Sequence, residues 1–472
     1  MMKLLTYPHH QEAAMLSMSQ ALKRIKGATA AFVDAPLIQT LCRQVQLGGR
    51  QRLLTPHTTT HLFLRQILEG NTSVPELRRL AKVSFADSSY CDARQRLPLA
   101  FFLRLNRAVL DRCRRYADDD PRARWHGPRV FFLDGSSFSM PDTPDLRAAF
   151  GQSGQQAEGC GFPTAHLLVQ FHAYTGYLIN AMPAPLRTHD LADLTWTHRG
   201  VQAGDVVAGD RAFCSYAHLA MRHKRGVFSL FRAHQRLIIS FKPRRKHVEP
   251  NRQPRKGEAG LPRSRWLRRL GRDDQLVEYF KPAECPAWMD SQEYESLPSS
   301  LVVRELRVPI RTPGCRVQEL TLVTTLLDRR RYPPEVLARL YEKRWSVEVN
   351  LRHLKQTLGM DVLRCESWQG VWKELLVFVL VYNLVRRVML EASRRQEVEP
   401  ERISFVDAWR WLREARPGEE LPPLRVNPRR PGRVEPRVKK RRPKQYDLMN
   451  KPRAVLRERL LHETSPPQEV AA

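Results

Sequence analysis

Seven side chains in this sequence have types and spacings suited to chemistry on a phosphodiester. Asp134 follows the apolar run 130–133, and Asp210 follows the apolar run 206–208 and a glycine. Arg211 comes directly after the second carboxylate. A carboxylate at the end of a buried-type strand can project into the crevice where an open α/β sheet binds its ligands, although such residues also often cap turns. Tyr341, Arg344, Glu348 and Lys355 form the third element. At about 100° per residue they fall within roughly 60° of arc on one helix face, beside the core-facing stripe of Val347, Leu351, Leu354 and Leu358. A surface helix tied by i,i+4 ion pairs such as Glu348–Arg352 is the competing reading of that stripe.

Three separated carboxylates in a strongly basic α/β chain suggest one kind of reaction. A phosphodiester repels nucleophiles, and two Mg2+ ions held by Asp and Glu oxygens can neutralise it and activate water. Mn2+ is expected to substitute. Arg344, Lys355 and Tyr341 could hold the phosphate, the arginine through a two-pronged contact.

The surrounding elements must bring these groups together. Residues 58–68, 74–82 and 87–96 read as three short helices, with a turn and N-cap signal between the first two. That spacing resembles a helix-turn-helix unit and predicts contact with DNA. From residue 129 the periodicity changes. Strands are predicted at 130–133, 166–173, 177–181, 205–208 and 227–231, with a hairpin turn at Tyr174-Thr175-Gly176 and helices at 190–199 and 215–225. This order predicts a mixed α/β sheet. Further strand-like runs lie at 301–310 and 320–326, and the chain then reads as helical from 333 to 395.

The chain has 472 residues with 79 Lys+Arg against 49 Asp+Glu, a formal charge of +30. Residues 242–272 alone carry 12 basic and 2 acidic side chains, and residues 425–444 carry 10 and 1. Both stretches read as irregular segments that contact phosphates and set affinity without specifying sequence. A hydrophobic fraction of 42% excludes a wholly disordered chain. The longest apolar run, 375–385, is too short to cross a bilayer, which takes about 20 residues, and reads as a core helix. Eight scattered cysteines without a CxxC fit reduced thiols, and no apolar leader opens the sequence, so a cytoplasmic, nucleoid-associated protein is expected. His166, His172, His189 and His198 fit no zinc spacing. Trp368, Trp372, Trp409 and Trp411 read as core, and the segment 141–145 as a turn.

The spacing Tyr341-x2-Arg344-x3-Glu348-x6-Lys355, with Asp134-Gly135 and Asp210-Arg211 upstream, resembles the DDE transposases of insertion-sequence family four. The resemblance is strongest over residues 130–387. It implies a ribonuclease-H-like core whose triad is Asp134, Asp210 and Glu348, with Tyr341, Arg344 and Lys355 on the phosphate. It also implies a β-rich insertion, for which 137 residues are available between Asp210 and Glu348. The expected organisation is a helical DNA-binding unit over 1–127, core over 128–239 and 328–395, basic insertion over 240–327, and C-terminal helices with a basic tail over 396–472. The implied partners are double-stranded DNA with terminal inverted repeats, target DNA, and a second copy of the chain on paired ends. Relatives pass through a hairpin with a base flipped onto an insertion aromatic, and no motif here singles out Trp266 or Trp288 for that role. The alternatives are a relative that binds DNA without cutting it, and a metal-dependent nuclease without strand transfer.

Overall fold

The computed structural model of the chain describes residues 29, 32–48, 54–81, 84–118, 120–152, 159–186, 198, 200–309 without 251, 254 and 259, 319–428 without 417, 451–452 and 455–459. Among the described residues the first helices are α1 (Ala35–Gln44), α2 (Pro56–Leu68), α3 (Val74–Ala81), α4 (Asp87–Arg96) and α5 (Leu99–Asp118). Their starts follow from local chemistry. The Asp34 carboxylate accepts from Leu37 N–H and the Thr55 hydroxyl from Thr58 N–H, each with proline in the first turn. Leu62, Leu77, Phe85, Tyr90 and Ala93 form a small core that holds α2, α3 and α4 together.

The strands follow in one sheet. β1 (Val130–Ser139), β2 (Thr164–His172) and β3 (Leu178–Pro185) form an antiparallel meander, with α6 (Pro144–Phe150) between the first two. β4 (Val206–Gly209) and β5 (Phe228–Arg232), joined through α7 (Tyr216–Lys224), add on in parallel. This order, β3-β2-β1-β4-β5, is the ribonuclease-H-like arrangement. β6 (Arg265–Gly271), β7 (Asp274–Phe280), α8 (Ser291–Glu295), β8 (Ser300–Pro309) and β9 (Glu319–Thr324) come next. β9 pairs antiparallel with β5, so the four added strands extend the same sheet to nine and end it on β6. The buried Arg304–Asp274 pair, closed by two 2.7 Å hydrogen bonds, locks β8 to β7.

After the sheet come α9 (Pro334–Lys343), α10 (Ser346–Arg352), α11 (Trp368–Arg395) and α12 (Phe405–Glu414). α11 is apolar nearly all round in its central turns, and a helix of that kind must be covered on every side. Its buried residues join those of α1, α2, α5, β1–β4 and α12 in one main core. At roughly 1.5–3 kcal/mol for each large apolar side chain, this helix is the main stabiliser of the meander. Polar groups fix its register: Asn383 accepts from Leu178 N–H at 2.8 Å and donates to Leu178 C=O at 2.9 Å. The Tyr382 hydroxyl reaches Gly176 C=O and the Arg386 guanidinium reaches Thr175 C=O. No helix among the described residues is long and apolar enough to cross a membrane.

Several sequence expectations need correction. Residues 265–271, read within an irregular basic stretch, form the edge strand β6, which pairs with β7. Residues 141–145 lead into α6, capped by the Thr143 hydroxyl, and are not a simple turn. Trp368 is exposed at the start of α11, whereas Trp409 is half-buried and donates to Leu68 C=O at 3.0 Å. The helix expected at 190–199 lies outside the described residues apart from His198, and so does most of the tail at 425–444.

The β2–β3 turn depends on Gly176, at φ +66°, where an added Cβ would collide with the Arg386 guanidinium. Gly176→Ala is expected to lower stability by about 1–3 kcal/mol, from left-handed strain plus displacement of the Arg386 contact. An unchanged denaturant midpoint would remove this turn from the account of how α11 holds the meander.

Candidate active site

The site begins where two parallel strands part. β1 and β4 pair from Val130↔Val206 to Phe132↔Ala208. Asp134 and Asp210 stand two residues beyond that last pair, so the alternation of a strand puts both on the face of Phe132 and Ala208. They line one crevice of about 290 Å3 together with Ser136, Ser137 and His166. The expected end of β1 at Asp134 is not observed. β2 pairs with β1 through Ser139↔Thr164, and only the partner on the β4 side is lost. Asp210 ends its strand as expected, and its Oδ1 accepts from Ala212 N–H at 2.9 Å to start a short turn.

The third element is a broken helix. α9 stops at Lys343, and α10 starts at Ser346 after a tightened turn in which Arg344 N–H bonds to Tyr341 C=O and Val347 N–H to Arg344 C=O. A π-turn over His353–Thr357 then carries Lys355. The single straight helix assumed from the 100° spacing is therefore absent, yet its four polar groups still meet β1 or one another. Arg344 Nη1 lies 3.5 Å from Asp134 Oδ2, and Nη2 lies 4.0 Å from Glu348 Oε1. Lys355 Nζ donates to Ser136 Oγ at 3.1 Å. Tyr341 is buried, with the Arg344 guanidinium 5.6 Å from the centre of its ring. Arg211 turns away to Gln235 Oε1 at 3.0 Å and does not line the crevice.

Electrostatics at the site are unfavourable to the bare carboxylates. Burial pushes Asp134 up to about 6, and the charges of Asp210 and Glu348 push the same way. The Arg344 guanidinium and Gly135 N–H oppose that rise without cancelling it. Burial also raises the Tyr341 phenol. Arg344 Nε is buried without a hydrogen-bond partner, an unmet donor beside the carboxylates. The donor set, three carboxylates on a basic background, suits a hard divalent cation in kind. Among the described residues, however, no three His, Cys, Asp or Glu side chains converge as an ion cage, and Arg344 bridges Asp134 and Glu348 instead.

Ser136 and His166 were not singled out by the motif. Ser136 was legible in principle, two residues from Asp134 on the same strand face. His166 reaches the crevice only through its register opposite Ser137, which pairing alone reveals. Elsewhere His172 is buried, its ring nitrogen 3.0 Å from the Thr175 hydroxyl, and burial pushes it down to about 3. His198 lies 3.4 Å from His218, which stacks on Trp288.

A family model described as the transposase DDE domain matches residues 125–384, more than half of the chain. The chain belongs to that family. The match spans all seven residues of the motif. Transposase InsG for insertion sequence element IS4, from Escherichia coli (strain K12), is 24% identical over 383 residues, 76% of this chain and 78% of its own length. Putative transposase InsZ of the same organism is 33% identical over 107 residues, 22% and 34% of the respective chains. Among solved structures, a cryo-EM piggyBac transposase synaptic complex with hairpin DNA overlaps 83% of this chain and 79% of that one, at a TM-score of 0.42 and 10% identity. That likeness is too distant to bear on the site.

The raised Asp134 has a consequence for stability in this DDE domain. Between the ordinary carboxylate range and about 6, the folded chain holds a proton that the unfolded chain has released, so stability falls as pH rises through that window. In chelator, Asp134→Asn is expected to be about 1–3 kcal/mol more stable than wild type above pH 6, with the gap closing towards pH 4. Thermal melts across that range check it, and a pH-independent gap would contradict the burial of this carboxyl.

Proposed function

We propose that the chain is a DNA transposase that cuts at terminal inverted repeats and joins the freed ends to target DNA, moving an insertion sequence. Asp134 and Asp210 in one crevice at the parting of β1 and β4, with Arg344 set between Asp134 and Glu348, in a chain of the transposase DDE domain family, support this reading. Members of this family generally use a divalent metal. Asp134, Asp210 and Glu348 would hold Mg2+ here, with Mn2+ as a substitute. The ions supply charge neutralisation and Lewis acidity at the scissile phosphate.

The chain's own residues orient the DNA. Arg344, tied only loosely to two carboxylates at 3.5 and 4.0 Å, would place its fork on a phosphate oxygen. Lys355, steadied by Ser136, adds a point charge on the same side. Tyr341 backs the guanidinium with its ring. Arg211, on the exposed rim, contacts the backbone outside the crevice. Hydrolysis breaks a P–O bond and leaves a 3′-hydroxyl, which then attacks a second phosphodiester, whose own 3′-oxygen departs. Two ends must meet for this, so a homodimer on paired ends is part of the proposal, acting on nucleoid DNA in the cytoplasm. The domain limits proposed are 1–127 for end binding, 128–239 with 328–395 for catalysis, 240–327 for the insertion, and 396–472 for the C-terminal region.

The test is a cleavage assay with Mg2+ or Mn2+ on DNA carrying this gene and its flanks. Asp134→Ala, Asp210→Ala and Glu348→Ala are each expected to cut more than roughly a hundredfold more slowly while binding DNA as wild type does. Full activity in any one of them would remove that residue from the triad. Cuts without joined products would reduce the protein to a nuclease. Arg344→Lys keeps the charge and loses the fork, and is expected to slow cutting about tenfold or more. Wild-type rates in that variant would deny the guanidinium its phosphate.

A further inference from the structure

A basic cleft lies at the other end of the same strands, away from the acidic crevice. It measures about 560 Å3 and is lined by Arg114 of α5, Arg124, Arg129, Arg331 and Asp205, among others. Four arginines against one aspartate leave it a net charge of +3. Its floor is fixed. Arg129 and Asp205 are buried and joined by two hydrogen bonds, at 2.9 and 2.7 Å, and Asp205 also accepts from Gln202 N–H at 2.7 Å. That pair neutralises itself and holds the starts of β1 and β4 side by side.

The walls have a different character. Arg124 and Arg331 are exposed, and they donate to backbone carbonyls, Gly127 C=O at 3.2 Å and His126 C=O at 3.4 Å. A carbonyl contact leaves the positive charge uncancelled. Arg331 also lies 5.3 Å from the ring centre of Tyr332, which stacks on Trp125 at 5.5 Å and 15°. These rings give the guanidinium a stiff backing. Arg114 stands close enough for its charge to help hold the buried His172 below its ordinary value. Two planar, exposed forks beside a third cation and a rigid neutral floor suit phosphate oxygens better than a carboxylate partner within the chain.

We propose that this cleft binds the backbone of a stretch of duplex DNA other than the one whose phosphate lies at Asp134. The inference rests on the DNA-handling reading above. Arg129 precedes Asp134 by five residues of extended chain, about 17 Å. One phosphate cannot serve both ends of β1, and contacts of this kind carry no base information. The second stretch is either a distant part of the same duplex or another duplex, and the two share the same phosphate chemistry.

The full-length protein tests this with Arg124→Ala/Arg331→Ala and the charge-keeping Arg124→Lys/Arg331→Lys. The DNA probes are a short duplex covering one cut site, the same site with a long flank, and a labelled duplex of unrelated sequence added to the short complex. The Ala variant is expected to bind and cut the short duplex within about twofold of wild type. On the long-flank or added duplex its affinity should fall roughly tenfold, and its salt slope by about two, at ~0.9 per phosphate contact. Loss on the flank identifies the same molecule, and loss on the added duplex identifies another. The Lys variant should keep the slope. Wild-type behaviour of the Ala variant on both probes would overturn the proposal, as would an equal loss on the short duplex. If wild-type protein binds but never cuts, only the transposase reading fails, because the cleft is scored by its salt slope.

Discussion

Parallel pairing between β1 and β4 runs for three residues and then ends, and the candidate site exists because of where it ends. Two strands that stay hydrogen-bonded would hold their side chains against a neighbour. Two strands that part leave a gap, and a carboxylate two residues past the last pair on each side faces into it. Burial of that carboxylate is unfavourable and raises Asp134, and the nearby charges of Asp210 and Glu348 add to the rise. Arg344, fed in from the break between α9 and α10, is the internal cation set against Asp134 and Glu348.

The rest of the molecule keeps that parting rigid. β2 continues alongside β1 well beyond Asp134, so the carboxylate sits on a supported strand and not on a loose loop. α11 buries the back of the meander, and its Asn383 fixes the starting backbone of β3 through two hydrogen bonds. At the lower end of the strands the Arg129–Asp205 pair ties β1 to β4 just where their pairing begins. The two strands are thus clamped at one end and open at the other.

Much of this was legible in the sequence, and the exceptions have physical causes. Spacing alone singled out the residues at 341–355, and Arg344 and Lys355 reach β1 although the helix departs from α geometry twice. Nothing in that segment announces the breaks, since it contains neither glycine nor proline. The end of β1 was misplaced because Gly135-Ser136-Ser137 has the composition of a turn, and pairing with β2 overrides that local preference. β6 escaped notice because Arg265, Arg268 and Arg269 break the alternation that marks a half-buried strand. Caps and apolar period placed α2, α3, α4 and α7 to within two residues, because those signals are local.

That charged strand has a consequence of its own. A nine-stranded sheet ends somewhere, and its last strand offers unpaired backbone groups to any chain that drifts alongside. On β6 the approaching strand would meet arginines at 265, 268 and 269, and in a second copy of this protein it would meet the same charges on itself. Edge-to-edge stacking of copies is therefore opposed by repulsion, chiefly from Arg268 and Arg269, since Arg265 is paired with Glu278. Polyanions damp that repulsion, which makes the colloidal behaviour of the purified protein depend on what is bound to it.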